Sequence, residues 1–334
     1  MRYLGHLSRR DNLYNYLKYD VQPQLTNQPE VEYRVFRLTG SNDVFMYEEK
    51  FSGTRLIGKF FQSEYNKNPD SAYRHLCREC HNLNLLRSIG FDTEAYYVPR
   101  PLGCNASLNH LLLTEFCSGE MLGVVIIKAI RRHDDKLLYE KLSSLASFLA
   151  SLHNKTADWS QPVCFQKNIN YLNSIIHVLN QASVEKNPAE LYALANRWSE
   201  CPFMYEDASV LVHGDATPAN FMCGANNKLI ALDLERLHRT DRVFDTGRIV
   251  GELAHFFMEQ TGNRLNAERF IGHFLWEYAG YFPDRMAAFE SINRRVPFYM
   301  GMTLLRIARN NWFDWKYRKR LVAEAKACLK GGLR

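Results

Sequence analysis

Near its middle the chain reads Val212-His213-Gly214-Asp215-Ala216-Thr217-Pro218-Ala219-Asn220-Phe221, and shortly afterwards Ile230-Ala231-Leu232-Asp233-Leu234-Glu235. Each stretch continues a short apolar run, Val210-Leu-Val-His and Leu229-Ile-Ala-Leu-Asp, of the length and composition of a buried strand. Asn220 stands five residues after Asp215, and Asp233 thirteen beyond that, at the end of its run. Taken singly, each piece reads as a turn or a polar strand end. An Asp placed after a buried strand, however, is fixed at the mouth of a cleft, and three such polar groups recur here within two short segments.

Two carboxylates and a carboxamide form the set that phosphoryl transfer from ATP requires. One carboxylate orients the attacking hydroxyl and accepts its proton, while a carboxylate and an amide oxygen hold magnesium against the phosphates. Magnesium prefers hard oxygen ligands, which Asp and Asn supply. The expected roles are Asp215 as catalytic base and Asn220 and Asp233 as metal ligands.

Residues 1–30 are polar and aromatic and end in a loop-like QPQLTNQPE. A β-rich stretch follows. Val31 to Leu38 alternates polar and apolar, Val44 to Glu48 follows a turn, and Leu56-Ile-Gly-Lys-Phe-Phe reads as a third strand. A helix is expected over roughly 70–89, with Leu76, Leu83 and Leu86 apolar and Gly90 past its end. His110 to Phe116 is an apolar strand, and Gly119 breaks the pattern. Beyond it the chain turns helical. Asp135 to His153 carries leucines at three- and four-residue spacing, Asp245 to Gln260 reads as a helix, and so does most of 265–330. The expected domains are an extension over 1–30, a β-rich unit with one main helix over 31–116 and a mainly helical unit over 117–334.

His213-Gly-Asp215-x4-Asn220 with Asp233-Leu-Glu235 resembles the signature of the aminoglycoside phosphotransferase and choline kinase superfamily, relatives of protein kinases. The resemblance extends over about residues 33–258. It implies an α+β, bilobal protein-kinase-like fold, with a small antiparallel sheet and one main helix in the N-lobe and a larger, mainly helical C-lobe. It also implies ATP and Mg2+ as cofactors. Asp215 matches the catalytic aspartate, Asn220 the catalytic-loop metal ligand and Asp233 the metal-binding aspartate; Glu235 is placed to reach a second metal through water. Gly214 stands where protein kinases carry an arginine, so control by a phosphorylated activation loop is not expected. Lys59 resembles the third-strand lysine that contacts the α- and β-phosphates, and Glu79 is the candidate carboxylate that positions it. By themselves they would be an edge-strand lysine and a solvated helix residue. Ser41 and Asn42, in the loop after Leu38, are expected over the phosphates. The backbone of Glu115 and Cys117 is expected at the adenine edge. Asp245 would cap its helix or clamp the catalytic-loop backbone, and His153 is read as packing.

Composition sets the remaining bounds. At 334 residues, 46% hydrophobic and 23% charged, the chain is long enough for two packed units. The longest apolar candidate, Met121 to Ile130, is about half of the roughly 20 residues a spanning helix needs. The N-terminus shows no apolar signal region, and a cytoplasmic enzyme is the expectation. The eight cysteines read as reduced core residues, and Cys77-x-x-Cys80-His81 as a chance pattern binding neither haem nor metal. Residues 291–334 hold eleven Lys or Arg against Asp314 and Glu324, a net of +9. This is either a solvated basic face or an attraction for an anionic substrate or surface. Arg306 and Arg309, three apart, are the expected acceptor residues, with Trp312 and Trp315 continuing that spacing. Basic residues disfavour polycationic acceptors, which points to a small neutral or anionic, sugar-like alcohol. Three alternatives remain: a choline- or aminoglycoside-type amino-alcohol kinase, a catalytically degenerate nucleotide-binding regulator, and nucleic-acid or membrane-surface contact through the basic C-terminal region. DNA is not an expected partner.

Overall fold

The computed structural model describes residues 1–26, 28–38, 43–62 and 66–333. The chain forms two compact units. The first comprises Met1–Gly119 with Ile230–Glu235, and the second comprises Glu120–Leu229 with Arg236–Arg334.

The first unit is built on a six-stranded sheet. Its elements are β1 (Arg2–His6), α1 (Asn12–Tyr16), β2 (Tyr33–Arg37), β3 (Asp43–Glu49), β4 (Arg55–Phe60), α2 (Pro69–Ser88), β5 (Tyr96–Tyr97), β6 (Pro101–Asn105) and β7 (Leu111–Glu115). The sheet order is β1-β2-β3-β4-β7-β6, and every neighbouring pair is antiparallel. Lys59 therefore lies on an interior strand, opposite Val44 on one side and Leu112 on the other. Residues 1–30 do not stand apart. Arg2–His6 pairs with β2, and Leu13, Tyr14, Leu17 and Val21 pack with Tyr33, Tyr47, Leu56, Leu111 and Leu113 in one apolar cluster. Their aromatic content, read from sequence as part of a polar extension, supplies one wall of this core.

Helix α2 starts at Asn68, whose side chain accepts from the N–H groups of Asp70 and Ser71, with Pro69 in the first turn. It ends before Gly90, where φ is +91°. Its buried face carries Leu76, Glu79, Leu83 and Leu86. Cys80, one residue past Glu79, forms a disulfide with Cys104 of β6. The expectation that all cysteines are reduced core residues is thereby corrected. Of the free cysteines, Cys77 and Cys164 are exposed, and Cys328 is the buried one. The pairing is tertiary: it joins a helix to a strand 24 residues away, a contact that spacing does not encode.

The second unit contains β8 (Glu120–Met121), α3 (Leu122–Arg132), α4 (Asp135–Lys155), β9 (Asp158–Pro162), α5 (Phe165–Gln181), α6 (Ala189–Ser199), β10 (Ala208–Val212) and β11 (Phe221–Cys223). After β12 (Leu229–Ala231) come β13 (His238–Thr240), α7 (Val243–Thr261), α8 (Glu268–Ala279), α9 (Arg285–Ala308) and α10 (Trp315–Gly331). Helix α7 is the centre. Every residue from Val243 to His255 is buried, on its polar as well as its apolar sides. It presses closely on α9, since a Cβ on Gly247 would stand 2.3 Å from the Cβ of Tyr299. Among the described residues no helix is long and apolar enough to cross a membrane.

Candidate active site

In the first unit Lys59 is the hub. Its Nζ lies 2.7 Å from Glu79 Oε2, 2.6 Å from Asp233 Oδ1 and 3.5 Å from Glu235 Oε2. Strand β4 and helix α2 bring the first two groups together. The third element is the segment after β12, which Asn82 anchors by donating from Nδ2 to the Leu234 carbonyl at 2.7 Å. Asp233 itself has φ +56°, a left-handed backbone that Asp tolerates better than most side chains and that often marks a functional turn. Burial works against the ammonium of Lys59, but Glu79, Asp233 and Glu235 outweigh it and hold the group charged above its ordinary range. Glu79 is fully buried and shares that single cation with two other carboxylates, so burial pushes its carboxyl up to about 7. Oxygens of Glu79, Asp233 and Glu235 all lie within 4.8 Å of one another. Three carboxylates around one ammonium leave negative charge uncompensated, and hard oxygens so clustered fit a magnesium ion.

In the second unit the corresponding centre is Asp215, in the loop after β10. The loop is held from below by Asp245 of α7. Its Oδ2 accepts the His213 N–H at 2.6 Å, and its Oδ1 accepts the Gly214 N–H at 3.1 Å. Asp245 thus clamps the loop backbone. His153 does more than pack. Because a carboxylate only accepts, His153 Nε2 donates to Asp245 at 3.3 Å, leaving Nδ1 to accept from the Tyr278 hydroxyl at 2.7 Å. Burial drives His153 towards its neutral form. Gly214 has φ +79°, and a Cβ there would stand 2.1 Å from the Arg236 carbonyl oxygen, so no side chain fits. Asn220 Nδ2 donates to the Asp215 carbonyl at 2.8 Å, which turns its amide oxygen the other way, as an acceptor for a cation.

The Asp215 carboxylate is flanked by arginines. Arg248 Nη1 and Arg306 Nη2 both donate to its Oδ1, at 2.7 and 2.6 Å. Burial would raise the Asp215 carboxyl, but Arg306 and Arg248, helped by Arg236 and His213, hold it below the usual carboxylate range. Arg306 also reaches Glu252 Oε1 at 3.4 Å. Arg248 and Glu252 were not among the residues singled out from sequence. Their signal was nonetheless there: Asp245, Arg248, Glu252 and His255 recur at spacings of three and four along an otherwise apolar helix, and polar groups so placed are buried only with partners.

The other expected residues fall as follows. Ser41 and Asn42 lie outside the described residues. The backbone N–H of Glu115 donates to the Arg100 carbonyl at 3.1 Å, and its carboxylate accepts from the Tyr97 hydroxyl at 2.6 Å. That N–H is therefore engaged within the sheet. Cys117 lies just after β7 and is partly exposed. Arg309 caps α9, and Trp312 and Trp315 do not continue that helix. The chain turns at 310–314, α10 begins at Trp315, and both indoles are exposed. The basic C-terminal region is paired in part. Arg295 is buried against Asp207 and Asp241, Lys326 binds Glu185 and Glu190, and Lys330 binds Glu190. A separate cavity of about 250 Å³, lined among others by Trp159, Phe203, Asp207, Arg242, Phe282 and Arg295, contains none of the expected site residues.

Residues 33–283 match the family model described as the phosphotransferase enzyme family, APH. Among solved structures, the chain is similar to an ethanolamine kinase of Plasmodium vivax, with TM-score 0.62 and 16% identity over 95% of this chain and 89% of that one. A choline kinase of Cryptosporidium parvum gives TM-score 0.63 and 13% identity, covering 96% and 95%. The ADP-bound aminoglycoside phosphotransferase APH(2'')-Ib gives TM-score 0.55 and 15% identity, covering 96% and 97%. No curated protein sequence matches the chain. At these identities the structures establish a shared, kinase-like α+β fold. The family match spans about three quarters of the sequence, including Lys59, Glu79, Asp215, Asn220 and Asp233, and on that ground the chain belongs to the phosphotransferase enzyme family.

Proposed function

We propose that the chain transfers the γ-phosphoryl group of ATP to a hydroxyl of a small neutral or anionic, sugar-like molecule. The acceptor oxygen bonds to the γ-phosphorus as the bond to the β–γ bridging oxygen breaks. ADP leaves, and the hydroxyl proton passes to Asp215. A carboxylate held ionised by arginines is a weak base, which suits a loose transition state in which the hydroxyl is oriented first and deprotonated late. Asn220 and Asp233 are assigned to hold magnesium, with Glu235 reaching a second ion through water. Bound magnesium would neutralise charge developing on the phosphates. Lys59, positioned by Glu79, is assigned to the α- and β-phosphates, Ser41 and Asn42 to cover of the phosphates, and the backbone of Glu115 and Cys117 to the adenine edge. Arg306 and Arg309 are assigned to the acceptor.

The observation that carries this reading is the Lys59 cluster. A purely structural lysine needs one carboxylate, and this one is surrounded by three. The same cluster argues against a degenerate regulator, in which such a costly arrangement would serve nothing. Amino-alcohol acceptors such as ethanolamine or choline carry a cation, which the arginines beside Asp215 repel. ADP release measured with magnesium, ATP and a panel of hydroxyl compounds tests the proposal. Acceptor-dependent release that disappears in Asp215→Asn supports it. Acceptor-dependent release undiminished in Asp215→Asn would refute the assignment of the base.

A further inference from the structure

We propose that the acceptor carries an anionic group, a carboxylate or a phosphate, and that Arg248, Arg306 and Arg309 with Tyr171 receive that group beside Asp215. The inference rests on the phosphotransferase reading and narrows its substrate class.

Charge is unbalanced inside the second unit. The loop after β10 and helices α5, α7 and α9 bring together two carboxylates, Asp215 and Glu252, with Arg248, Arg306 and Arg309, while Arg236 also acts on Asp215. Burial shifts the carboxyl of Glu252 upward, against the pull of Arg306 and Arg248. Tyr171 of α5 lies in the same field. Burial alone would raise its phenol, yet Arg248, Arg306 and Arg309 together bring it below its ordinary value.

The guanidinium donors are not used up by the protein. Arg248 is almost fully buried; its Nη1 donates to the Gly214 carbonyl and to Asp215, its guanidinium also bonds the Tyr171 hydroxyl, and its Nε–H has no hydrogen-bond partner among the described residues. A buried N–H on a charged group without an acceptor is uncommon and costly, and it marks a place where a ligand or water belongs. Arg306 spends one Nη on Asp215 and reaches Glu252 at a long 3.4 Å. Arg309 makes one weak bond, Nε to the Arg306 carbonyl at 3.5 Å, and no ion pair among the described residues. Both Arg248 and Arg306 converge on Oδ1 of Asp215, and neither hydrogen-bonds Oδ2. Oδ2 is thus kept for the hydroxyl, while the arginines stand ready for a second anion on the same molecule. Planar guanidinium groups match carboxylate and phosphate oxygens in pairs.

The rival role for these arginines is to stabilise the transferring phosphoryl group itself. The test therefore fills the nucleotide site first. The full chain is saturated with magnesium and a non-hydrolysable ATP analogue with an imido bridge. Inorganic phosphate, gluconate, glucose and glucosamine are then titrated by calorimetry at constant ionic strength. The expected order is phosphate and gluconate ahead of glucose, with glucosamine weakest. Comparing phosphate with gluconate shows which anion the site prefers. Arg309→Gln should weaken phosphate and gluconate by about tenfold or more and leave the analogue's affinity unchanged. Arg306→Gln should do the same. Failure of phosphate and gluconate to bind the analogue-saturated protein at millimolar concentration overturns the inference. So does an unchanged affinity for both anions in the two variants, or a loss confined to the analogue. If the analogue itself does not bind, the phosphotransferase reading fails, and the same anion titrations on the nucleotide-free chain still decide whether the arginines form an anion site.

Discussion

The two candidate centres are electrostatic opposites. Around Lys59, one ammonium faces the carboxylates of Glu79, Asp233 and Glu235. Around Asp215, one carboxylate faces the guanidinium groups of Arg248 and Arg306, with Arg236 also acting on it. A fold that needed only stability would pair charges one to one, since a buried ion unmatched in number costs desolvation without recovering it. Each centre instead carries a surplus, of opposite sign. On the proposed reading, a metal ion would complete the acid-rich centre and an anionic acceptor the base-rich one.

The largest effect should come from the acid-rich centre. Asp233→Ala is expected to lower turnover about 10³-fold or more and to weaken magnesium-dependent nucleotide binding. Near-normal turnover in that variant would remove Asp233 as a metal ligand and, with it, the functional meaning of the acid surplus. In the base-rich centre, Arg248→Met removes the most buried partner of Asp215 and should cost about 3 kcal/mol in urea unfolding. A cost close to zero would mean that Arg306 alone suffices and that Arg248 is present for something else. The disulfide comes next. Cys80→Ser should lower the stability of the first unit by about 3 kcal/mol, as expected for opening a loop of this size. The same loss should appear on reduction of the wild-type chain. Equal midpoints for oxidised and reduced protein would show that α2, and Glu79 with it, is fixed by packing alone.

Much of this arrangement is legible in the sequence. The Asp215, Asn220 and Asp233 spacing, the strand bearing Lys59 and the helix bearing Glu79 all follow from local periodicity and a short motif, which are properties of contiguous sequence. The misreadings are of another kind. Glu79 was open to interpretation as solvated, although its spacing from Leu76 and Leu83 puts it on their buried face; a charge in an apolar stripe is better read as a charge with a distant partner. Arg248 and Glu252 are hard to single out from sequence for the same reason, because their partners lie in another loop and another helix. The Cys80–Cys104 bond and the packing of residues 1–21 onto the sheet are likewise non-local. The three-residue spacing of Trp312 and Trp315 suggests a continued helix, but the chain turns at 310–314 and α10 begins at Trp315.

The smallest effect, and the sharpest test of the acid surplus, is its pH dependence. In the folded chain Glu79 has a carboxyl pushed up to about 7 by burial, against an ordinary value near 4.5. A raised folded value means that the native state binds the proton more tightly than the unfolded one. The stability contributed by this proton is therefore fully present below about pH 4.5 and is lost as the pH climbs to about 7. Its upper bound, from the size of the shift, is about 3 kcal/mol. Urea midpoints measured through this window should decline, and Glu79→Gln, which cannot titrate, should flatten the decline attributable to this group. Saturating magnesium should flatten it too, because a cation among the three carboxylates favours the ionised form. The opposite picture is a Lys59 that satisfies Glu79 completely. It predicts no slope in this window and a Glu79→Gln variant weakened equally at every pH. Finding that would reduce the centre to an ordinary ion pair with two acidic neighbours, and the contrast with Asp215 would lose its acidic half.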